Sequence, residues 1–380
     1  MNELAKARQE RLRLRQPLLD LTESNPTRCG FEYHENQLVR AFQDPRLALY
    51  EPNPRGLLSA RRAVMEYYAE RGLAIQPEQI FLTASTSEAY SFVFRLLCDS
   101  GDCVLAPRPG YPLLEYLASL NDLGVDGYPL RYEDRWQIDR EALTSGVRER
   151  SRALLVVHPN NPTGSYALPE EVDFLARLCK ERKMALIADE VFWDYAHPAT
   201  AGSLHSFARE NSTLTFTLSG LSKISGLPQM KCAWIVVTGP PAVQHEAIRR
   251  MEVIADTFLS VSTPVALAFP SLLELRRSIG SQILERVLSN LALLDQQISG
   301  ESPISRLHVE GGWYAILRLP RILTDEDWAL LFLRKEGVAV HPGHFYDFPD
   351  DGYVVVSLLP SSEIFVAAIR KLFATVIERC

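Results

Sequence analysis

LSGLSKISGLPQMK, residues 218–231, is the stretch on which the fold turns. It overlaps the end of TLTFTLS (213–219), an apolar, β-prone run, and sets Lys223 among serines and glycines immediately beyond it. A lysine in a loop is ordinarily a solvated surface charge. Lys223 instead follows a run that reads as a buried strand, so its ammonium falls where a strand end meets a crevice. The other strands decide whether that crevice carries chemistry.

The 380-residue chain is 47% hydrophobic and 23% charged, the balance of an ordinary globular protein with room for two domains. A net charge of −7 gives no electrostatic footprint for nucleic acid. No apolar run approaches the roughly 20 residues that span a bilayer. The first residues, MNELAKARQERLRLRQ, are charged and helical in character, without the apolar core of a signal peptide. Six cysteines (29, 98, 103, 179, 232 and 380) show no metal-ligand spacing. They are expected as reduced thiols in a cytoplasm, with no metal site.

From about residue 57 to 260, short apolar runs alternate with amphipathic helical stretches. The expected strands are QIFLT (79–83), DCVLAP (102–107), ALLVVHP (153–159), ALIADE (185–190), TLTFTLS (213–219) and AWIVV (233–237). Between them lie helical segments such as SEAYSFVFRLLC and LPEEVDFLARLCKER. Strands apolar throughout and separated by helices predict a mostly parallel sheet covered on both faces. A long helical stretch over 264–298 leads to a second pattern, with WYAILRL, GVAVHPG and YVVVSLL between helices. That pattern predicts a smaller α+β domain.

In open α/β sheets, ligands bind beyond the carboxyl ends of the strands. Here QIFLT runs into ASTSEAY, DCVLAP into RPGYP, and ALLVVHP into NNPTG, while ALIA ends in Asp189-Glu190 and TLTFTLS just before Lys223. Each ending alone has an ordinary explanation as a turn or helix cap. Five on one rim supply an aromatic face, an amide, a carboxylate, a lysine and a helix N-terminus suited to phosphate.

Together these residues resemble the fold-type I pyridoxal-phosphate enzymes of the aminotransferase class I/II group, over nearly the whole chain. Asn161–Gly164 (NPTG), Asp189-Glu190, Ser222-Lys223 and YEPNPRGLLSAR (50–61) stand in that family's order and approximate spacing. The resemblance implies an α/β large domain over 44–263, a mostly parallel seven-stranded sheet sandwiched by helices. Residues 264–380 are implied as a linking helix and a small α+β domain, with 1–43 as an arm and part of that domain.

By the same resemblance, Lys223 forms the Schiff base with the aldehyde of pyridoxal 5'-phosphate. A partly desolvated lysine has a lowered pKa and becomes a usable nucleophile and then a general base. Asp189 is implied as the partner of the pyridine nitrogen, keeping the ring an electron sink. Asn161 is implied on the ring hydroxyl and Tyr111 stacked on the ring. Thr86 and Ser87 at a helix N-terminus, with Lys231, are implied on the phosphate. Tyr50 matches a tyrosine that reaches the phosphate of a neighbouring subunit, which implies a homodimer with shared sites.

Three positions depart from the family pattern. Phe192 stands where a tyrosine usually donates to the ring hydroxyl. Gly220 stands where a serine often binds phosphate, leaving Ser219 and Ser222 as replacements. Val355, in Tyr353-Val354-Val355-Val356-Ser357, stands where an arginine usually grips the substrate α-carboxylate. Arg28 and Asn25 in ESNPTRCG, Arg55, and His341 and His344 in VHPGHFYDF are the candidate substrate-binding residues, with Arg28 first.

The resemblance implies transfer of an amino group between an amino donor and a 2-oxo acid or other carbonyl acceptor, in ping-pong half-reactions. A lyase or decarboxylase on the same scaffold is the alternative, and the missing arginine slightly raises it, because substrate orientation decides which Cα bond breaks. A non-catalytic cofactor sensor is the third reading. It is disfavoured because Lys223 and Asp189 are both present, and because the stretch before Glu23 leaves little room for a DNA-binding domain.

Overall fold

The computed structural model describes residues 2–200, 204–259, 261–298, 300 and 302–380. After a two-residue strand β1 (Leu19–Asp20), eight strands make the large sheet. They are β2 (Ile80–Thr83), β3 (Cys103–Arg108), β4 (Gly124–Glu133), β5 (Arg135–Ile138), β6 (Ser151–Val157), β7 (Ala185–Asp189), β8 (Thr215–Gly220) and β9 (Ala233–Thr238). Their order across the sheet is β2-β9-β8-β7-β6-β3-β4-β5. Pairs β3–β4, β3–β6, β6–β7 and β7–β8 are parallel, whereas β9 runs antiparallel to both its neighbours.

The expectation of a mostly parallel, doubly covered sheet holds, with one addition. The hairpin β4–β5 was not expected, and it makes eight strands rather than seven. GVDGYPLRYE offers few consecutive apolar residues, and β4 is largely unburied, so no apolar run announces it.

Alternate residues of the central strands feed separate cores. Val104, Ala106, Leu155 and Ile187 join a cluster with Phe92 and Met251, from the helices Thr86–Leu97 and Pro241–Phe258. Leu105, Leu154, Val156 and Leu186 join another with Leu175 and Leu178, from the helix Pro169–Arg182. Side chains of a strand alternate between faces, so burial on both faces demands the continuous apolar runs seen in the sequence.

The stretch expected as one helix over 264–298 is two, Thr263–Glu274 and Arg276–Gln297, meeting at Leu275. They lead to β10 (Ser305–Arg306), β11 (Tyr314–Arg318), β12 (Val338–Ala339), β13 (His341–Pro342) and β14 (Tyr353–Ser357). A four-stranded antiparallel sheet runs β10-β11-β14-β13, and β12 pairs in parallel with β1 near the N-terminus. Leading residues thus complete the structure around the trailing ones.

Candidate active site

Parallel strands end on one rim, so topology alone gathers groups far apart in sequence. Asp189 is paired with Val157 on one side and Leu218 on the other, which brings the ends of β6, β7 and β8 level. Because β9 is antiparallel, its beginning lies at the same rim: Ala233 pairs with both Gly220 and Thr83. Lys231 therefore stands near the end of β8, although it precedes a strand rather than follows one.

Asp189 is buried and held by two donors. The Tyr90 hydroxyl donates to Oδ2 at 2.8 Å, and the Val191 amide donates to Oδ1 at 3.1 Å. Burial raises its pKa, while the Tyr90 and Val191 hydrogen bonds and the Lys223 charge act in the opposite direction. Its neighbour Glu190 has a different task. Ser206 Oγ and the Phe207 amide, each at 2.7 Å, donate to its carboxylate and tie down the following loop. Burial pushes the Glu190 carboxyl up to about 8.

Lys223 lies on a single helical turn, Leu221–Ile224, and its ammonium lies beside a pair of packed rings. Nζ is 4.7 Å from the Trp313 ring centre and 5.3 Å from that of Phe192. Burial pushes its pKa down to about 8, against the opposing pull of Asp189. The Tyr195 hydroxyl donates to the Lys223 carbonyl at 2.6 Å and fixes the backbone that carries the amine.

The loop after β6 braces the loop after β3. Asn160 Nδ2 donates to the Pro109 carbonyl at 3.1 Å, and the Gly110 amide donates to the Tyr346 carbonyl at 2.9 Å. Gly110 is required here, because a Cβ would lie 2.2 Å from the Pro107 carbonyl oxygen. Tyr111, next in the chain, feels the charge of Asp189 and the hydroxyl of Tyr314, and burial pushes its own hydroxyl up to about 12. Asn161 has its Oδ1 buried without a partner among the described residues. A buried amide left unsatisfied is costly unless a ligand meets it.

The helix Thr86–Leu97 starts from a Ser85 cap, whose Oγ accepts from the Glu88 amide at 3.1 Å. Glu88 returns a bond to the Ala84 amide at 2.6 Å. Thr86 and Ser87 lie in the first turn, where unpaired backbone amides favour an anion. Lys231 is exposed and holds φ at 51°, a left-handed conformation that a non-glycine residue adopts at some cost. Tyr50 is 73% exposed on this single chain.

The departures from the family pattern have physical reasons. A Cβ on Gly220 would come within 2.8 Å of the Ala233 side chain, so β9 leaves no room for serine there. Ser219 is fully buried and directs its hydroxyl to the Glu190 carbonyl at 3.3 Å, whereas Ser222 is partly exposed. Val355 faces Ile316 across the strand pair β11–β14 and is fully buried with Trp136, Tyr346 and Phe348.

Of the substrate candidates, Arg55 is committed elsewhere, bonded to Glu252 at 2.8 Å and to the Glu78 carbonyl at 3.0 Å. Asn25 Oδ1 accepts from Thr27 and caps the short turn Pro26–Arg28. His344 is exposed, its ring against Phe345, and His341 is partly buried and pushed below its ordinary pKa by burial. Arg28 is exposed and makes no ion pair among the described residues.

Tyr90, Trp313 and Tyr195 were not singled out from the sequence. Tyr90 follows Thr86 by four residues, one turn along the same helix face, a spacing that places the ring but not the partner of its hydroxyl. Trp313 and Tyr195 carry no such signal, since only the fold brings them to Lys223.

A family profile described as aminotransferase class I and II matches residues 30–369. The alanine aminotransferase of Mycobacterium tuberculosis is 30% identical over 368 residues, covering 93% of this chain and 84% of that protein. The glutamate-pyruvate aminotransferase AlaA of Escherichia coli is 26% identical over 362 residues, covering 93% of this chain and 89% of its own. Among solved structures, an alanine aminotransferase from Pyrococcus furiosus superposes with a TM-score of 0.90 at 20% identity, covering 99% of this chain and 96% of that one. An aspartate aminotransferase mutant of Thermus thermophilus superposes with a TM-score of 0.85 at 25% identity, covering 98% and 94%.

The chain belongs to the class I and II aminotransferases, a family of transferases with the type I fold that uses pyridoxal phosphate as its cofactor.

Proposed function

We propose that this chain binds pyridoxal 5'-phosphate at Lys223 and moves an amino group from an amino donor to a 2-oxo acid, or another carbonyl acceptor, in two half-reactions. The observation that carries this reading is the pairing of a buried, hydrogen-bonded Asp189 with a lysine whose pKa burial lowers to about 8. The cofactor supplies an aldehyde and a ring that accepts electrons.

The residues fit that cofactor. Lys223 Nζ is the amine for the aldehyde and, once displaced by substrate, the base that moves the substrate α-proton. Asp189 suits a protonated ring nitrogen, and the Asn161 side chain, with its Nδ2 as the donor, suits the ring hydroxyl. Tyr111 offers a face for the ring. Thr86, Ser87, Ser222 and Lys231 suit the phosphate, with Tyr50 of a second copy completing it in a homodimer. Tyr50 is exposed on a single chain, which leaves its ring free to reach a second copy. We assign the cofactor half of the molecule to a domain over 44–263, and the remainder to a smaller one of 1–43 with 264–380.

The relatives make alanine and glutamate the first donors to try, and pyruvate the first acceptor. Borohydride reduction of the yellow holoprotein should fix the cofactor to Lys223. A label on another lysine, or no cofactor after reconstitution, overturns the reading. Donor should bleach the aldehyde absorbance, and an added 2-oxo acid should restore it. Bleaching that no 2-oxo acid reverses would favour the lyase or decarboxylase reading, which the apolar surroundings of Val355 support.

A further inference from the structure

Asp189 has polar neighbours from several elements. Tyr90 reaches it from the helix Thr86–Leu97 and the Val191 amide from its own loop. Lys223 bears on it from the turn after β8, Tyr111 from the loop after β3, and Glu190 from the adjacent position. Among these, two hydrogen bonds end on the carboxylate itself, and Tyr90 provides the side-chain donor. Both partners are buried, 1% exposed for Tyr90 and 5% for Asp189, so the bond lies away from bulk water.

The helix that carries Tyr90 is the same one whose first turn holds Thr86 and Ser87. Ser85 caps it, Glu88 accepts from the Ala84 amide, and Phe92 and Val93 pack on the sheet with Val104 and Ile187, so its place is set. One rigid element therefore presents an anion site at its start and, a turn later, a donor to the carboxylate. We propose that Tyr90 is a positioning residue for the cofactor: its hydroxyl holds Asp189 ionised and oriented toward the ring nitrogen while the same helix holds the phosphate.

The physical reason is charge. When the Lys223 amine is bonded to the cofactor aldehyde, it is no longer a free ammonium balancing the carboxylate. A buried carboxylate left with the Val191 amide alone takes up a proton more readily. A neutral Asp189 cannot balance a protonated ring nitrogen, so the hydroxyl of Tyr90 matters most where protons are abundant.

This inference rests on the cofactor reading above, which borohydride labelling of Lys223 tests separately. Its own test is a double-mutant cycle on cofactor affinity, measured by titrating apoprotein with pyridoxal phosphate between pH 6 and pH 8 (roughly the range in which buried carboxylates are tuned). Tyr90→Phe keeps the ring against Phe94 and removes only the oxygen. It should weaken binding about tenfold, the scale of one hydrogen bond to a charged group. The deficit should widen as pH falls.

In an Asp189→Asn background the same change should move affinity less than about twofold, because the hydroxyl then has no charge to hold. Equal losses in both backgrounds would show a merely structural tyrosine and overturn the proposal. So would wild-type affinity in Tyr90→Phe at every pH. If Lys223 is labelled while Tyr90→Phe binds as wild type, this inference fails and the cofactor reading stands. Should the variant not fold, wild type against Asp189→Asn still decides. Their affinity difference should persist down to pH 6, and its collapse as pH falls would mean that the hydroxyl does not keep Asp189 charged.

Discussion

The rim beyond β3, β6, β7 and β8 and the inner face of the small sheet are joined through Tyr314, yet their chemistry is opposite. On the rim, a carboxylate, an amide and an amine are drawn into low-polarity surroundings and given hydrogen bonds or rings to rest on. On the small sheet, Val355 and Ile316 meet across the strands with Trp136, Tyr346 and Phe348 around them. Polar groups buried at one place are retained against a cost, and that cost is evidence of use. The apolar face has no such cost, so it excludes an anion without saying what it admits.

The sharpest way to break this comparison is to remove the amine. Lys223→Ala should keep measurable cofactor affinity through the phosphate contacts while losing turnover by several orders of magnitude. The lowered pKa of Lys223 adds a pH signature. Only the deprotonated amine attacks an aldehyde, so capture of pyridoxal phosphate by apoprotein should rise about tenfold per pH unit and level off above about 8. A rise continuing past pH 10, the ordinary lysine range, would mean that the rim does not desolvate Lys223.

Next in size is Asp189→Asn. An amide cannot keep the ring nitrogen protonated, so turnover should fall more than about a hundredfold with the fold retained. Activity within a few-fold of wild type would remove Asp189 as the pyridine partner and reduce it to a buried acceptor for Tyr90.

On the other side of the comparison, Val355 cannot bind an anion, and a carboxylate buried without a partner carries a penalty of several kcal/mol. A normal α-amino acid therefore needs another cation. Arg55 is occupied by Glu252, whereas Arg28 is exposed without an ion pair among the described residues. Arg28→Ala should raise KM for amino acids roughly ten- to a hundredfold, the scale of one charged hydrogen bond. Cofactor binding and activity toward simple amines should be unchanged. An unaffected KM would move the clamp away from Arg28. A wild-type preference for amines over their α-carboxylated counterparts would mean that no clamp exists.

The same contrast explains what could be read in the sequence. Strands buried on both faces declare themselves as apolar runs, and polar residues at their ends declare a rim, so the placement of Lys223, Asp189 and Asn161 beyond strand ends was legible. The hairpin β4–β5 is largely exposed and has no such run. Tyr90 looked like one more apolar position of an amphipathic helix, because the spacing that buries a ring does not reveal the partner of its hydroxyl. Arg55 read as a rim residue until the helix Pro241–Phe258 brought Glu252 to it, a contact across 197 positions of sequence. Local pattern carries the sheet and its rim; pairings between distant elements are written in the packing.

The smallest expected effect lies where the two regions touch. Phe192 stands on the rim, with its ring 5.3 Å from Lys223 Nζ and edge-on to Trp313 at 4.9 Å. A phenyl ring offers no hydrogen to the cofactor's ring hydroxyl, so Asn161 is left as the side-chain donor proposed for it. Phe192→Tyr adds a second donor. A donor to that oxygen stabilises its ionised form and reduces the proton affinity of the nitrogen joined to Lys223. The colour change of the holoprotein should then move to lower pH, by about one unit for a hydrogen bond of roughly 1.4 kcal/mol. Phe192 is buried in the apolar core beside Trp313, so a thermal melt of the variant should accompany the titration to show that the fold is kept. An unchanged spectral titration would show that residue 192 supports Trp313 and does not face the ring, and Asn161 would then need a different partner to account for the site.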